Sequence, residues 1–190
     1  MYSEKDDIEL IACYRRGDTA ALDELVRRYQ KQLFGYIVKM TGSSADADEI
    51  FQETWLKVIK KLGLYRHRNF MGWLVRITHN VIVDRSRRRR PVVSLDRESE
   101  SGGSMADVLP DRAPGPMERV ANIDLKKRIA MEVAKLPDDQ REVFLLRTEI
   151  GMSFKEIASV QKISINTALA RMQYALNKLR EPLKEAYDEL

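Results

Sequence analysis

The 190-residue chain has one cysteine, Cys13, and two histidines, His67 and His79. A single thiol cannot form an internal disulfide framework. Two imidazoles twelve positions apart and one distant thiol do not match the ligand spacing of a zinc site, so neither a metal nor a cofactor is expected. Cys13 falls on the apolar side of a helical pattern, which makes it a buried thiol rather than a reactive one. No apolar run approaches the ~20 residues that a membrane-spanning helix needs. The opening MYSEKDDIEL is acidic where a secretory signal is basic and then apolar, so the chain reads as cytoplasmic. It has no glycine-rich phosphate loop, and no serine, cysteine or histidine stands in an arrangement with a plausible base, so it is not expected to be an enzyme. Strands are missing too. The longest β-branched run, Val81-Ile82-Val83, sits inside a helical frame, and aliphatic spacing is helical throughout.

What the chain does have is localised positive charge. The net charge of +4 is small, yet residues 64–90 carry eight arginines against a single acid, Asp84. The flanking stretches 1–63 and 117–190 are nearly balanced, with 10 basic against 11 acidic and 13 against 12 side chains, so the excess belongs to one segment. Such a concentration points to a polyanion site. Within it Arg66, Arg68 and Arg76 alternate with Tyr65, Phe70 and Trp73, setting guanidinium groups beside rings on which an unpaired base could stack. The same stretch can also be read as the core side of an amphipathic helix, Trp73, Leu74, Ile77, Val81 and Ile82, ending in a solvated basic tail.

Periodicity predicts a helix over 7–16, stopped by Gly17, and a second that starts with Asp18 or Thr19 as cap and runs through Leu22, Leu25, Val26, Tyr29, Leu33, Phe34, Ile37 and Val38. Thr41-Gly42-Ser43-Ser44 breaks it. A third helix spans about 45–62, with Ile50, Phe51, Leu56, Val58, Ile59 and Leu62 available for a core. Its Glu49, Gln52 and Glu53 form a polar patch at i, i+3 and i+4, which on spacing alone reads as solvated surface. Gly63 to Asn69 reads as a loop, and the helix from Phe70 ends at Pro91.

Residues 92–116, rich in serine, glycine, proline and acids, read as a flexible linker between domains 1–91 and 117–190. Beyond it, helices are expected over 117–136 and 138–150. A capping box at Ser153 and Glu156 opens a short helix through Val160, and Lys162-Ile163-Ser164 turns the chain into a last helix reaching at least Leu183. The expected fold is therefore all-α, two small helical domains joined by a flexible linker. The second is a helix-turn-helix, whose later helix enters a major groove. Ile165, Ala168, Met172, Ala175, Leu176, Leu179 and Leu183 form the apolar side of that helix. Ser164, Asn166, Thr167, Ala170, Arg171 and Tyr174 are left as candidates for duplex contacts. Leu169 can either complete the core or touch a thymine methyl. To this point a stand-alone helix-turn-helix regulator of duplex DNA and an RNA-binding protein both remain open.

Three blocks narrow the choice. DADEIFQETWLKV (Asp46 to Val58), FMGWLVRITHNVIVDRSRRRR (Phe70 to Arg90) and LPDDQREVFLLRTEIGMSFKEIASVQKISINTALARMQYALNKLR (Leu136 to Arg180) resemble bacterial RNA polymerase sigma factors of the extracytoplasmic-function type. They stand in the family's order, with a linker in the expected place. The resemblance implies a non-enzymatic specificity subunit that binds core RNA polymerase and promoter DNA, as duplex at the −35 element and as single strand at the −10 element. An anti-sigma partner is usual for such proteins.

By position, the resemblance gives Asp48, Glu49, Gln52 and Glu53 to polymerase binding. It gives Tyr65, Arg66, His67 and Arg68 to the loop that captures a flipped base, and Arg76, His79 and Asn80 to the strand-binding helix, with Arg85, Arg87 and Arg88 on phosphates. Trp73, Leu74 and Ile77 match structural positions. Thr167 and Arg171 match contacts to the −35 duplex, where Leu169 replaces a residue that is usually basic or polar.

Two departures carry expectations. Relatives often have glycine where this chain has Lys162 and Asn166. Asparagine tolerates positive φ, but a lysine there is strained. The recognition helix is also poor in charge, with Tyr174 where arginine is common. Binding of the 117–190 domain to −35 duplex is therefore expected to be weak and only mildly salt-dependent. In a salt titration, a slope that implies about five or more phosphate contacts would contradict this.

Overall fold

The computed structural model describes residues 2–66, 69–89 and 126–188. The expected linker, 92–116, lies outside them, as do His67 and Arg68 and the first part of the helix expected from 117. The described residues form eight helices and no strand: α1 (Asp7–Arg15), α2 (Ala20–Thr41), α3 (Ser44–Leu62), α4 (Phe70–Arg89), α5 (126–134), α6 (Asp138–Thr148), α7 (Phe154–Gln161) and α8 (Ile165–Asp188). They fall into two compact units, one holding α1–α4 and the other α5–α8.

The helix starts show why these segments fold locally as they do. Asp6 caps α1 through a capping box with Glu9, satisfying two amides that have no partner inside the helix. Ser43 accepts from the amide of Asp46 at the start of α3. At α2 the expected cap is absent. Thr19 makes no side-chain capping bond, and the Asp18 carboxylate instead accepts the hydroxyl of Tyr2 at 2.7 Å.

In the first unit α2 packs on α1 and α3, and α3 packs on α4. Leu25, Leu33, Ile37, Leu62, Phe70 and Leu74 are almost completely enclosed. Burying each such side chain contributes about 1.5–3 kcal/mol. The apolar pattern nevertheless overstates the core. Leu56 and Ile59 of α3, assigned to it by spacing, lie at the surface, with Leu56 59% exposed, as does Ile8 of α1. Helix α3 is covered by α2 and α4, and these two residues occupy the flank that neither reaches. Tyr36 and Trp55 are buried instead.

The second unit differs in the same way. The buried side of α8 is narrow and made largely of alanine, with Ala168 and Ala175 fully enclosed, Leu179 nearly so and Ala158 of α7 opposite. Small side chains let short helices cross closely. Ile165 and Leu176 flank that line and stay exposed, as does Met131 of α5. Arginines close the unit from outside: Arg141 donates to the carbonyls of Ala134 and Leu136 at 2.7 and 2.8 Å, which pins α5 to α6. Arg147 lies 5.3 Å from the ring centre of Phe154 and donates to Met152, joining α6 to α7.

The turn of the helix-turn-helix bears out the expected strain. Lys162 ends α7 at φ 57° and ψ 44°, the one described non-glycine residue with positive φ. A side chain there costs about 1–2 kcal/mol, partly offset in the unfolded chain by lysine's smaller backbone freedom compared with glycine. Lys162→Gly is therefore expected to stabilise the second unit by roughly 0.5–1 kcal/mol, read as a rise in the urea midpoint at unchanged m-value. A fall in the midpoint would show that the lysine side chain makes a compensating contact.

Candidate nucleic-acid interface

Helix α4 is built to show one side and hide the other. Asn69 caps it, its Oδ1 accepting from the amide of Gly72 at 2.9 Å. A Cβ on Gly72 would stand 3.1 Å from the Asn69 side chain, so glycine lets the cap close. Phe70, Leu74, Ile77, Thr78 and Val81 point into the unit, and the Thr78 hydroxyl is satisfied by the carbonyl of Leu74 at 3.0 Å. On the opposite side Arg76, Asn80, Asp84 and Arg87 recur at spacings of four, four and three, all exposed, with Arg88 beside them. The Asn80 amide donates to the carbonyl of Arg76 at 2.8 Å, which restrains the side chain on the exposed side of the helix. His79 is half-buried.

The loop before α4 divides differently from its composition. Arg66 is exposed, but Tyr65 is 6% exposed, its ring 4.9 Å from Trp73 and 5.6 Å from Phe70. Phe70 also meets Tyr29 of α2 at 5.1 Å. Tyr65 therefore belongs to an aromatic cluster that seats the loop, and its ring is not presented for stacking. Burial, reinforced by the nearby Asp7 carboxylate, pushes its phenol up to about 12. Tyr29 is shifted the same way by burial and by its hydrogen bond to Asp7.

One residue that sequence reasoning missed is Arg15. Its guanidinium donates to the carbonyls of Leu62 and Tyr65, tying the end of α3 and the loop to α1. No local pattern marks it, because its partners lie about fifty positions away.

On α3, Asp48, Glu49 and Gln52 are exposed and Glu53 is half-exposed, paired with Lys57 at 2.9 Å. Leu56 and Ile59 continue the same flank, giving a surface that is acidic at one end and apolar at the other. Glu49 forms an ion pair with Arg85 of α4, so the acidic and basic candidate surfaces adjoin. A cavity at this seam is lined by Glu53, Val81, Asp84, Arg85 and Arg88.

In the second unit Ser164 caps α8, its hydroxyl accepting from the Thr167 amide at 3.0 Å and lying 2.8 Å from the Thr167 hydroxyl. Asn166, Ala170 and Tyr174 are exposed. Arg171 is only part-exposed, paired with Asp139 of α6 at 3.0 Å and donating to Gln161 of α7 at 2.7 Å. Among the described residues no group of His, Cys, Asp and Glu side chains is placed to hold a metal, and no helix is long and apolar enough to cross a membrane.

Comparison with known proteins gives two family matches, sigma-70 region 2 over residues 25–92 and sigma-70 region 4 over residues 126–179. The RNA polymerase sigma-H factor of Pseudomonas aeruginosa is 29% identical over 195 residues, covering 96% of this chain and 98% of that protein. The extracytoplasmic-function sigma factor SigW of Bacillus subtilis is 27% identical over 90% of this chain and 93% of its own length. Among solved structures, CnrH in complex with the cytosolic domain of CnrY matches with a TM-score of 0.63 at 26% identity, over 96% of this chain and 97% of that one.

The Arg15 tie yields a direct check. Hydrogen bonds from a charged donor contribute about 1.5–3 kcal/mol, so Arg15→Met is expected to speed hydrogen exchange at the Leu64 and Tyr65 amides roughly tenfold or more. Amides in the middle of α2 should hardly change. Unaltered exchange at both loop amides would remove Arg15 as the loop's anchor.

Proposed function

The chain belongs to the sigma-70 family, as a sigma factor of the extracytoplasmic-function type, and from that premise we propose how its two units divide the work. As a sigma factor it directs transcription initiation by RNA polymerase. The first unit, residues 1–91, binds core polymerase through α3 and the melted −10 strand through the loop and α4. The second, residues 117–190, grips the −35 duplex. Residues 92–116 tether them. The protein acts in the cytoplasm and performs no chemistry of its own, leaving catalysis to the polymerase.

The observation that carries the assignment is the opposition of the two sides of α4. Its buried side fixes the helix against α2 and α3, and its outer stripe of Arg76, Asn80 and Arg87 is exposed. Guanidinium groups hold phosphates without regard to sequence, while an oriented amide can distinguish bases. Arg87 and Arg88 therefore position the strand, Arg85 joins them by exchanging Glu49 for a phosphate, and Asn80 reads it. Tyr65 positions the loop from within, and Arg66 contacts the strand directly.

The surface proposed for the polymerase is the α3 flank. Asp48, Glu49, Gln52 and Glu53 supply carboxylates and an amide, and the exposed Leu56 and Ile59 add apolar area beside them. That combination suits a partner whose surface is basic and partly apolar. CnrH was solved with the cytosolic domain of CnrY, and RpoE of Bartonella quintana with the anti-sigma factor NepR. By likeness to the former, a protein that binds this chain as the cytosolic domain of CnrY binds CnrH is proposed here, in the role of an anti-sigma partner.

Two variants test the division. Gln52→Ala combined with Glu53→Ala should abolish association with core polymerase while helical content is retained; undiminished run-off transcription from a cognate promoter would rule out the α3 assignment. Asn80→Ala should leave core binding within about twofold and reduce open-complex formation on −10 sequences roughly tenfold, the effect of one lost base contact.

A further inference from the structure

The recognition helix carries one arginine in its first two turns, and the structure has already engaged it. Arg171 pairs with Asp139 at 3.0 Å and donates to Gln161 at 2.7 Å. The Gln161 amide in turn donates at 2.7 Å to Glu142, which is 5% exposed. The chain of bonds joins α6, α7 and α8. Pulling Arg171 out to a base edge would leave the Gln161 oxygen without that donor and the Asp139 carboxylate without its cation.

The side of α8 that shares a line with Asn166 holds Leu169, Ala170 and Gln173, at i, i+3, i+4 and i+7. All four are exposed, and none is charged. Leu169 is 44% exposed in the described structure, so it does not complete the core. An isobutyl side chain there offers a base pair no hydrogen bond. In a major groove its one complementary feature is the C5 methyl of thymine.

We propose that Leu169 is the specificity-determining residue of the upstream duplex contact, selecting a thymine through its methyl group, while Arg171 is a positioning residue that fixes the angle of α8. This rests on the proposal that the second unit binds the −35 duplex. It goes further in naming the feature recognised: a thymine at one position, with no guanine read by a guanidinium.

The test uses holoenzyme, reconstituted from the full chain and core polymerase, on a promoter obtained by selecting for run-off transcription from a library. Each −35 thymine is replaced in turn by deoxyuridine, which removes only the methyl, and each guanine by 7-deazaguanine, which removes the N7 acceptor. With wild-type protein one deoxyuridine should lower open-complex formation about fourfold, the expectation for one apolar carbon group returned to water. With Leu169→Ala the unmodified promoter should fall by a similar factor, and the deoxyuridine effect at that position should vanish. Arg171→Ala should lower every −35 variant by about the same factor and keep the deoxyuridine effect.

Three results would overturn the proposal: no deoxyuridine sensitivity anywhere in the element, sensitivity that survives undiminished in Leu169→Ala, or a 7-deazaguanine penalty that is present in wild type and lost in Arg171→Ala. A wild-type protein that selects no promoter with core polymerase would instead overturn the sigma-factor assignment of the two units. The two failures are thereby distinct.

Discussion

The first unit depends on the packing of Phe70. Almost wholly buried at the first position of α4, it meets Tyr29 of α2, Tyr65 of the loop and Trp73 one turn on. Tilted and edge-on ring contacts at these distances contribute about 0.5–1.5 kcal/mol each beyond the area they bury. Their greater effect is geometric. Once Phe70 is seated and Asn69 caps the helix above it, the rotation of α4 about its axis is set. The position of every outward residue from Arg76 to Arg88 follows from that rotation, so the surface proposed for the −10 strand is presented by a rigid element.

The cluster also explains why composition misled about bases. Tyr65, Phe70 and Trp73 sit among arginines in the sequence, which is the pattern of a stacking surface, yet Tyr65 and Phe70 are enclosed and Trp73 is half-buried against them. An aromatic beside an arginine in sequence can lie on the opposite side of a helix or fold under a loop. The helical frame correctly assigned Leu74 and Ile77 to the core. It had nothing to say about Tyr65, which precedes the helix and has no period to follow.

What the sequence made legible was the kind and extent of each element: seven of the described helices begin and end within a few residues of where spacing, breakers and caps put them. The helix-turn-helix and the strain at Lys162 were legible too, the latter because a left-handed residue is required where α7 stops. Two classes of feature were not. The first is how wide a strip of each amphipathic helix is covered. Leu56, Ile59, Ile165 and Leu176 have core spacing, but burial depends on how many neighbours a helix has. The second is any bond from a side chain to a group distant in sequence, such as Arg15 to the Tyr65 carbonyl or Arg171 to Asp139. Periodicity is a property of one helix, and these are properties of pairs.

That second class bears on how basic surfaces are read. Arg15, Arg28, Arg141, Arg147 and Arg171 all spend hydrogen bonds on backbone carbonyls, carboxylates or amides within their own unit. Arg85 is held by Glu49. Such groups still add to the net charge, but a partner's phosphate has to compete with a bond already made. Arg76, Arg87 and Arg88 stand exposed on α4, whose own acid is Asp84, and Glu53 of α3 lines the cavity beside Arg88. The functional field is therefore smaller and sharper than the arginine count suggests. In the first unit it lies along α4. In the second, with acids and bases nearly balanced and Arg171 engaged, the proposed reading of the −35 duplex falls to uncharged side chains, whose contacts weaken little with salt and depend strongly on the fit to one base.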